Sequence, residues 1–131
     1  MQIYIDTSAL VKLVVVEAES AALRSYFEDF AHDTLFAAAL ARTELVRSVA
    51  RLGSIEIIET ARLVLTKLDL VTLNLALLDA AATIAPLELR TLDAIHLAAA
   101  RTAPDLRALV TYDNRLAQAA AAAGIAVVSP R

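Results

Sequence analysis

The sequence predicts an α/β protein whose parallel sheet is covered by helices on both faces. Short apolar runs alternate along the chain with longer stretches of helical periodicity, as strand–helix–strand units require. One of those runs stops at a carboxylate, Asp6, and another finishes near one, Asp113, each ahead of a helix, which is where open α/β sheets place their functional crevice. The 131 residues suffice for one domain with a sizeable core, and the 59% hydrophobic content is rich in Ala. Close helix contacts through small residues are therefore expected, with apolar surface left over for a partner.

Taken in order, residues 2–5 read as a buried strand ending at Asp6. The hydroxyls of Thr7 and Ser8 are expected to cap a helix that continues to residue 16. A helix over 18–31 follows from the spacing of Ala22, Leu23, Tyr26, Phe27 and Phe30, with Glu28 and Asp29 turned outward. Residues 34–38 form a second strand, and a helix over 40–52 stops at Gly53. Ser54 opens another helix, running to about Lys67, before a strand at 68–73 and an Ala/Leu helix that ends ahead of Pro86. Thr91 is expected to cap a helix over 91–103, with Asp93 in its first turn and Pro104 beyond its end. A strand at 106–111, a helix over 116–123 closed by Gly124, and a strand at 125–128 complete the chain.

Several function classes are excluded at this level. There is no Cys and there are only two His, so thiolate or His-rich zinc sites are not available. The longest run without a charged residue, 116–130, is too short to span a bilayer, and Asp6 and Lys12 interrupt the early apolar stretch as no signal peptide would allow. A soluble, cytoplasmic protein without a membrane partner is expected. The net charge of −3 offers no global attraction for nucleic acid, so such binding would need a local patch.

Most acids fall on solvated helix faces, but four do not. Asp6 and Asp113 follow strands, Asp93 opens a helix between apolar neighbours, and Glu44 sits among Leu40, Leu45 and Val46. Each has an ordinary reading: a turn Asp, a helix N-terminal acid favoured by the dipole, a Glu paired along its own helix. If parallel strands bring them to one sheet edge, each charged pair about 5 Å apart costs about 3 kcal/mol at an effective dielectric of about 20. A cation or a proton is then required. Oxygen ligands without Cys or His select Mg²⁺ or Mn²⁺, a site suited to phosphodiester cleavage.

Four blocks carry a resemblance: Ile3-Tyr-Ile-Asp-Thr-Ser-Ala-Leu-Val-Lys-Leu13, Thr43-Glu-Leu-Val-Arg-Ser48, Leu92-Asp-Ala-Ile-His-Leu-Ala-Ala-Ala100 and Val110-Thr-Tyr-Asp-Asn-Arg-Leu116. In order and spacing they resemble the signature blocks of PIN-domain ribonucleases, and more narrowly of VapC toxins from VapBC toxin–antitoxin pairs. The resemblance implies a single PIN domain over 1–131 with a parallel sheet of about five strands. It also implies divalent-metal-dependent endonuclease activity on RNA, a homodimer, and an inhibitory VapB-type antitoxin. Asp6, Glu44, Asp93 and Asp113 fall on the family's catalytic and metal-binding acids, Ser8 on a small polar position near the metal, and Thr111 on a hydroxyl before the last acid. A groove along Tyr26, Phe27 and Phe30 is where the resemblance places the antitoxin tail; plain core packing is the alternative.

His96 is expected to be a buried, hydrogen-bonded histidine rather than a general base. Lys12, Arg42, Arg90 and Arg115 are candidates for RNA phosphates or ordinary surface charges, and Tyr112 either stacks a base or fills the core edge. A haloacid-dehalogenase-like phosphatase would need a second acid where Ser8 stands, and a receiver domain a Lys after the 106–111 strand. The remaining alternative is a PIN-fold binding module without catalysis.

Overall fold

The computed structural model describes residues 1–131. Five parallel strands, β1 (Gln2–Ile5), β2 (Thr34–Ala38), β3 (Asp69–Val71), β4 (Leu106–Val110) and β5 (Val127–Val128), lie in the order β3-β2-β1-β4-β5. Seven helices connect them: α1 (Thr7–Val14), α2 (Ser20–Asp29), α3 (Ala41–Ala50), α4 (Ile55–Thr66), α5 (Leu75–Ala82), α6 (Thr91–Ala100) and α7 (Asn114–Ala122). The expected α/β architecture is the one observed.

Alternation along the central strands divides the core in two. Tyr4, Phe36 and Leu109 point to one face, where α5, α6 and α7 cover them, while Ile3, Ile5 and Val110 point to the other, under α1 to α4. Helix α6 is buried at every position from Asp93 to Ala100, which explains its Ala content: small side chains let it lie deep between the sheet and its neighbouring helices. Burying a Leu such as Leu97 contributes about 2 kcal/mol there.

Two caps differ from expectation. Asp6, not Thr7 or Ser8, caps α1, its carboxylate accepting from the Ala9 N–H at 3.2 Å, and Thr7 and Ser8 are already helical. Three adjacent residues can each cap, but the helical backbone begins at Thr7, which leaves Asp6 as the one in the extended conformation a cap adopts. Thr91 is likewise the first residue of α6 rather than its cap; Arg90 takes that position without a side-chain bond to the helix. Several ends are shorter than the periodicity suggested, with the 18–31 helix reduced to Ser20–Asp29 and the 68–73 strand to Asp69–Val71. Helix α7 starts at Asn114, two residues before the expected helix, with Asp113 as its cap accepting from the N–H groups of Arg115 and Leu116. Gly124 closes α7 at φ 81°, where its N–H reaches the Ala121 carbonyl and that of Ile125 reaches Ala120.

Candidate active site

Strand register decides which side chains meet. Ile5 lies opposite Val110, so Asp6 and Thr111 leave adjacent strands side by side at the carboxyl edge of the sheet. Thr111 Oγ1 donates to Asp6 Oδ2 at 2.7 Å and accepts the Asp113 N–H at 3.0 Å. Ser8 Oγ donates to Asp6 Oδ1 at 2.7 Å and accepts the Tyr112 N–H at 2.9 Å. Both hydroxyls hold the strand ends together as well as orienting the carboxylate. Asp6 is only 4% exposed, and that burial raises its carboxyl above the ordinary value against the lowering effect of these hydrogen bonds.

Glu44 enters from α3, where Leu45 and Val49 bury the opposite face of the helix. Thr7 Oγ1 donates to its Oε1 at 2.8 Å, and His96 Nε2 bonds the same oxygen at 2.6 Å. Burial works against charge on Glu44, but the bond and the electrostatic attraction of His96, helped by the Thr7 bond, outweigh it and hold the carboxyl below its usual range. His96 is buried, with Nδ1 2.6 Å from the Tyr4 hydroxyl, which also accepts the Ala38 N–H at 3.1 Å. An ionised Glu44 can only accept, so His96 Nε2 carries a proton and donates to it, while Nδ1 bonds the Tyr4 hydroxyl on the other side of the ring. His96 thus has the buried, bonded character expected of it, and it also orients an acid.

Asp93, in the first turn of α6, and Asp113, capping α7, are joined by one cation. Arg90 Nη2 lies 2.8 Å from Asp93 Oδ2 and 2.9 Å from Asp113 Oδ2, while its Nε donates to Asp93 at 2.9 Å. All four acids line a single cleft of about 320 Å³, together with Thr7, Ser8, Arg90 and His96. No three of its carboxylates and imidazole stand close enough to hold one ion between them, and Arg90 is the positive charge among them.

The other candidates separate. Lys12 is turned away, paired with Glu19 at 2.8 Å and lying 4.7 Å from the centre of the Tyr112 ring. Tyr112 packs at the core edge with its hydroxyl on the Pro130 carbonyl, which is the plainer of its two readings. Tyr26, Phe27 and Phe30 are half-buried against the α1–α4 face and against one another. Arg42 is exposed and makes no ion pair, and Arg115 lines a groove beyond Arg90. Thr7, Tyr4 and the Arg90 bridge were not legible as site elements. Thr7 offered one signal, a hydroxyl directly after a strand-ending acid; Tyr4 offered none beyond its place in a buried strand.

A PIN domain family model matches residues 3–122. Ribonuclease VapC46 of Mycobacterium tuberculosis is 45% identical to the chain over 129 residues, covering 98% of it and 97% of that protein. Ribonuclease VapC35 of the same organism is 44% identical over 131 residues, covering 98% and 96%. Among solved structures, that of M. tuberculosis VapC20, a sarcin-ricin loop cleaving toxin, superposes with a TM-score of 0.74 at 18% identity, covering 98% of this chain and 99% of that one. It shares the fold, and the sequence relatives supply the kinship: the chain belongs to the PIN domain family, on its VapC branch.

Proposed function

We propose that this chain is a toxin endoribonuclease that cleaves RNA phosphodiester bonds with a divalent metal and is held in check by a cognate VapB-type antitoxin. The observation that carries the reading is the meeting of Asp6, Glu44, Asp93 and Asp113 in one cleft, with Arg90 between two of them. Four carboxylates lining one cleft attract positive charge, and the Arg90 guanidinium already lies on two of them. The donor set suits Mg²⁺ or Mn²⁺, being all oxygen, and Asp6, Asp93, Asp113 and Glu44 are the residues that would hold the ion. When bound, such an ion supplies positive charge against phosphate oxygens and makes a water acidic enough to attack phosphorus.

The chain's own residues supply orientation. Ser8 and Thr111 fix both oxygens of Asp6, so that it presents one geometry without rotamer loss on binding. Thr7 and His96 both engage Glu44 Oε1 and leave Oε2 without a bond inside the chain. Since Glu44 is held below the usual range it is ionised at neutral pH, and Oε2 is the unbonded oxygen it offers to the cleft. Attack forms one phosphorus–oxygen bond and breaks the one to the departing ribose oxygen.

Partner contacts have support of a different kind. Leu75, Leu78, Leu87 and Leu92 are exposed, and an apolar hollow of about 330 Å³ lies among Leu78, Ile84, Leu87, Leu89 and Ile95. Such a surface on a small chain supports burial against another polypeptide, the second copy of a homodimer. No helix is long and apolar enough to cross a membrane. The activity is tested with Asp93→Asn and Glu44→Gln on a structured RNA in Mg²⁺ or Mn²⁺. Each is expected to cut about a hundredfold more slowly or worse while keeping its circular dichroism. Cleavage at the wild-type rate by Asp93→Asn would sink the reading, and RNA or antitoxin binding with no cleavage by the wild type would favour a non-catalytic module.

A further inference from the structure

Beside the acid cleft lies a second, larger depression of about 730 Å³, between the chain leading into α6 and the exposed side of α7. Arg90 lines both, so the two are continuous. Its rim carries Arg101, at the end of α6, and Arg115, in the first turn of α7; both are exposed and neither makes an ion pair. The one acid in its wall, Glu88, pairs with neither of them. The apolar part of the lining is Leu89, Ala119 and Ala122, and Gln118 adds an exposed amide to it. On a chain of net charge −3 this is a local concentration of unneutralised arginine.

We infer that this groove is the binding track for the RNA strand next to the scissile bond, with Arg101 and Arg115 each holding a backbone phosphate and the apolar lining receiving a base. The inference rests on the ribonuclease reading and adds where the substrate lies. Charge decides the occupant. Two free guanidinium groups flanking an apolar lining match the alternation of phosphate and base in a single strand, and arginine forks suit phosphate geometry. A second copy of the chain or an antitoxin segment seated there would have to bring its own acids to Arg101 and Arg115. Arg90 fits the same picture as the hinge between the two depressions, since one guanidinium faces the carboxylates and the groove together.

The test uses full-length Asp6→Asn protein, which spares the probe, and a 5′-fluorescein-labelled uridylate 12-mer followed by fluorescence anisotropy over a series of NaCl concentrations. Arg101→Ala/Arg115→Ala in that background is expected to bind about tenfold or more weakly. Its slope of log affinity against log salt should be shallower by about 1.4, the equivalent of two single-strand phosphate contacts. Arg101→Lys/Arg115→Lys should keep the slope, and Arg24→Ala/Arg62→Ala, on α2 and α4, should change neither quantity. Because Arg101 and Arg115 are exposed and unpaired, thermal melting should not move. Unchanged affinity and slope in the double alanine variant would overturn the proposal, as would absence of binding by the parent. Loss of dimer with RNA binding intact would also overturn it and assign the groove to a contact between copies. Cleavage by the protein with native Asp6 is scored separately. If it cuts RNA while the groove variants bind normally, only the track fails; if it does not cut but they lose binding, only the cleavage reading fails.

Discussion

Asp6 serves two tasks whose requirements conflict. It caps α1 and is locked by Ser8 and Thr111, which favours its charged form, yet it is buried, which does not. Burial wins, so its carboxyl titrates above the ordinary value of 3.8. The sign of the stability effect follows. As pH climbs past that ordinary value the unfolded chain ionises first, and stability falls until the folded carboxyl has ionised too. Asp6→Asn, which cannot ionise, is therefore expected to melt a few degrees higher than the wild type in EDTA at neutral pH, with the gap closing below about pH 3.5. Thermal melts at the two pH values measure this, and a variant that melts lower at neutral pH would show that Asp6 is needed as an acceptor more than it costs as a charge. Tyr4 and His96 act at the same scale. Tyr4 holds the His96 ring from behind, and His96 Nε2, with Thr7, occupies Oε1 of Glu44 and leaves Oε2 free.

Between elements, the recurring unit is a strand, an acid that caps, and a helix. β1–Asp6–α1 and β4–Asp113–α7 repeat it on neighbouring strands, and Arg90 ties the start of α6 to the start of α7. Since the guanidinium occupies two of the acids, Arg90→Ala is expected to bind Mn²⁺ several-fold more tightly by isothermal titration. Weaker Mn²⁺ binding would mean that Arg90 assembles the site instead of competing for it. Much of this level was legible in the sequence. The alternation of apolar runs with helical periodicity set all five strands and seven helices, and the two acids that follow strands pointed to the sheet edge. Caps were less legible, because Asp6, Thr7 and Ser8 are all competent and only the point where the helical backbone begins chooses among them. Arg90 was read as a phosphate ligand or a surface charge, since nothing local reveals that Asp113, 23 positions away, comes within 2.9 Å.

Across the whole molecule, the two ends of the sheet are treated differently. At the amino end Asp33 is satisfied by Arg107, which holds its carboxyl below the ordinary value, and by the Met1 ammonium group at 3.2 Å. At the carboxyl end four acids line one cleft, two of them bridged by Arg90, and free arginines stand to one side. A net charge of −3 hides this arrangement, and no reading of composition could separate paired charge from unpaired. The carboxylates on that edge are the reason for expecting a divalent ion there, and the most direct measurement is single-turnover cleavage of a structured RNA by the purified wild type as Mn²⁺ is titrated from zero in metal-stripped buffer. Cleavage should rise to saturation with Mn²⁺ and vanish on adding EDTA. Cleavage that proceeds at the same rate in EDTA would contradict a metal-dependent acid cluster.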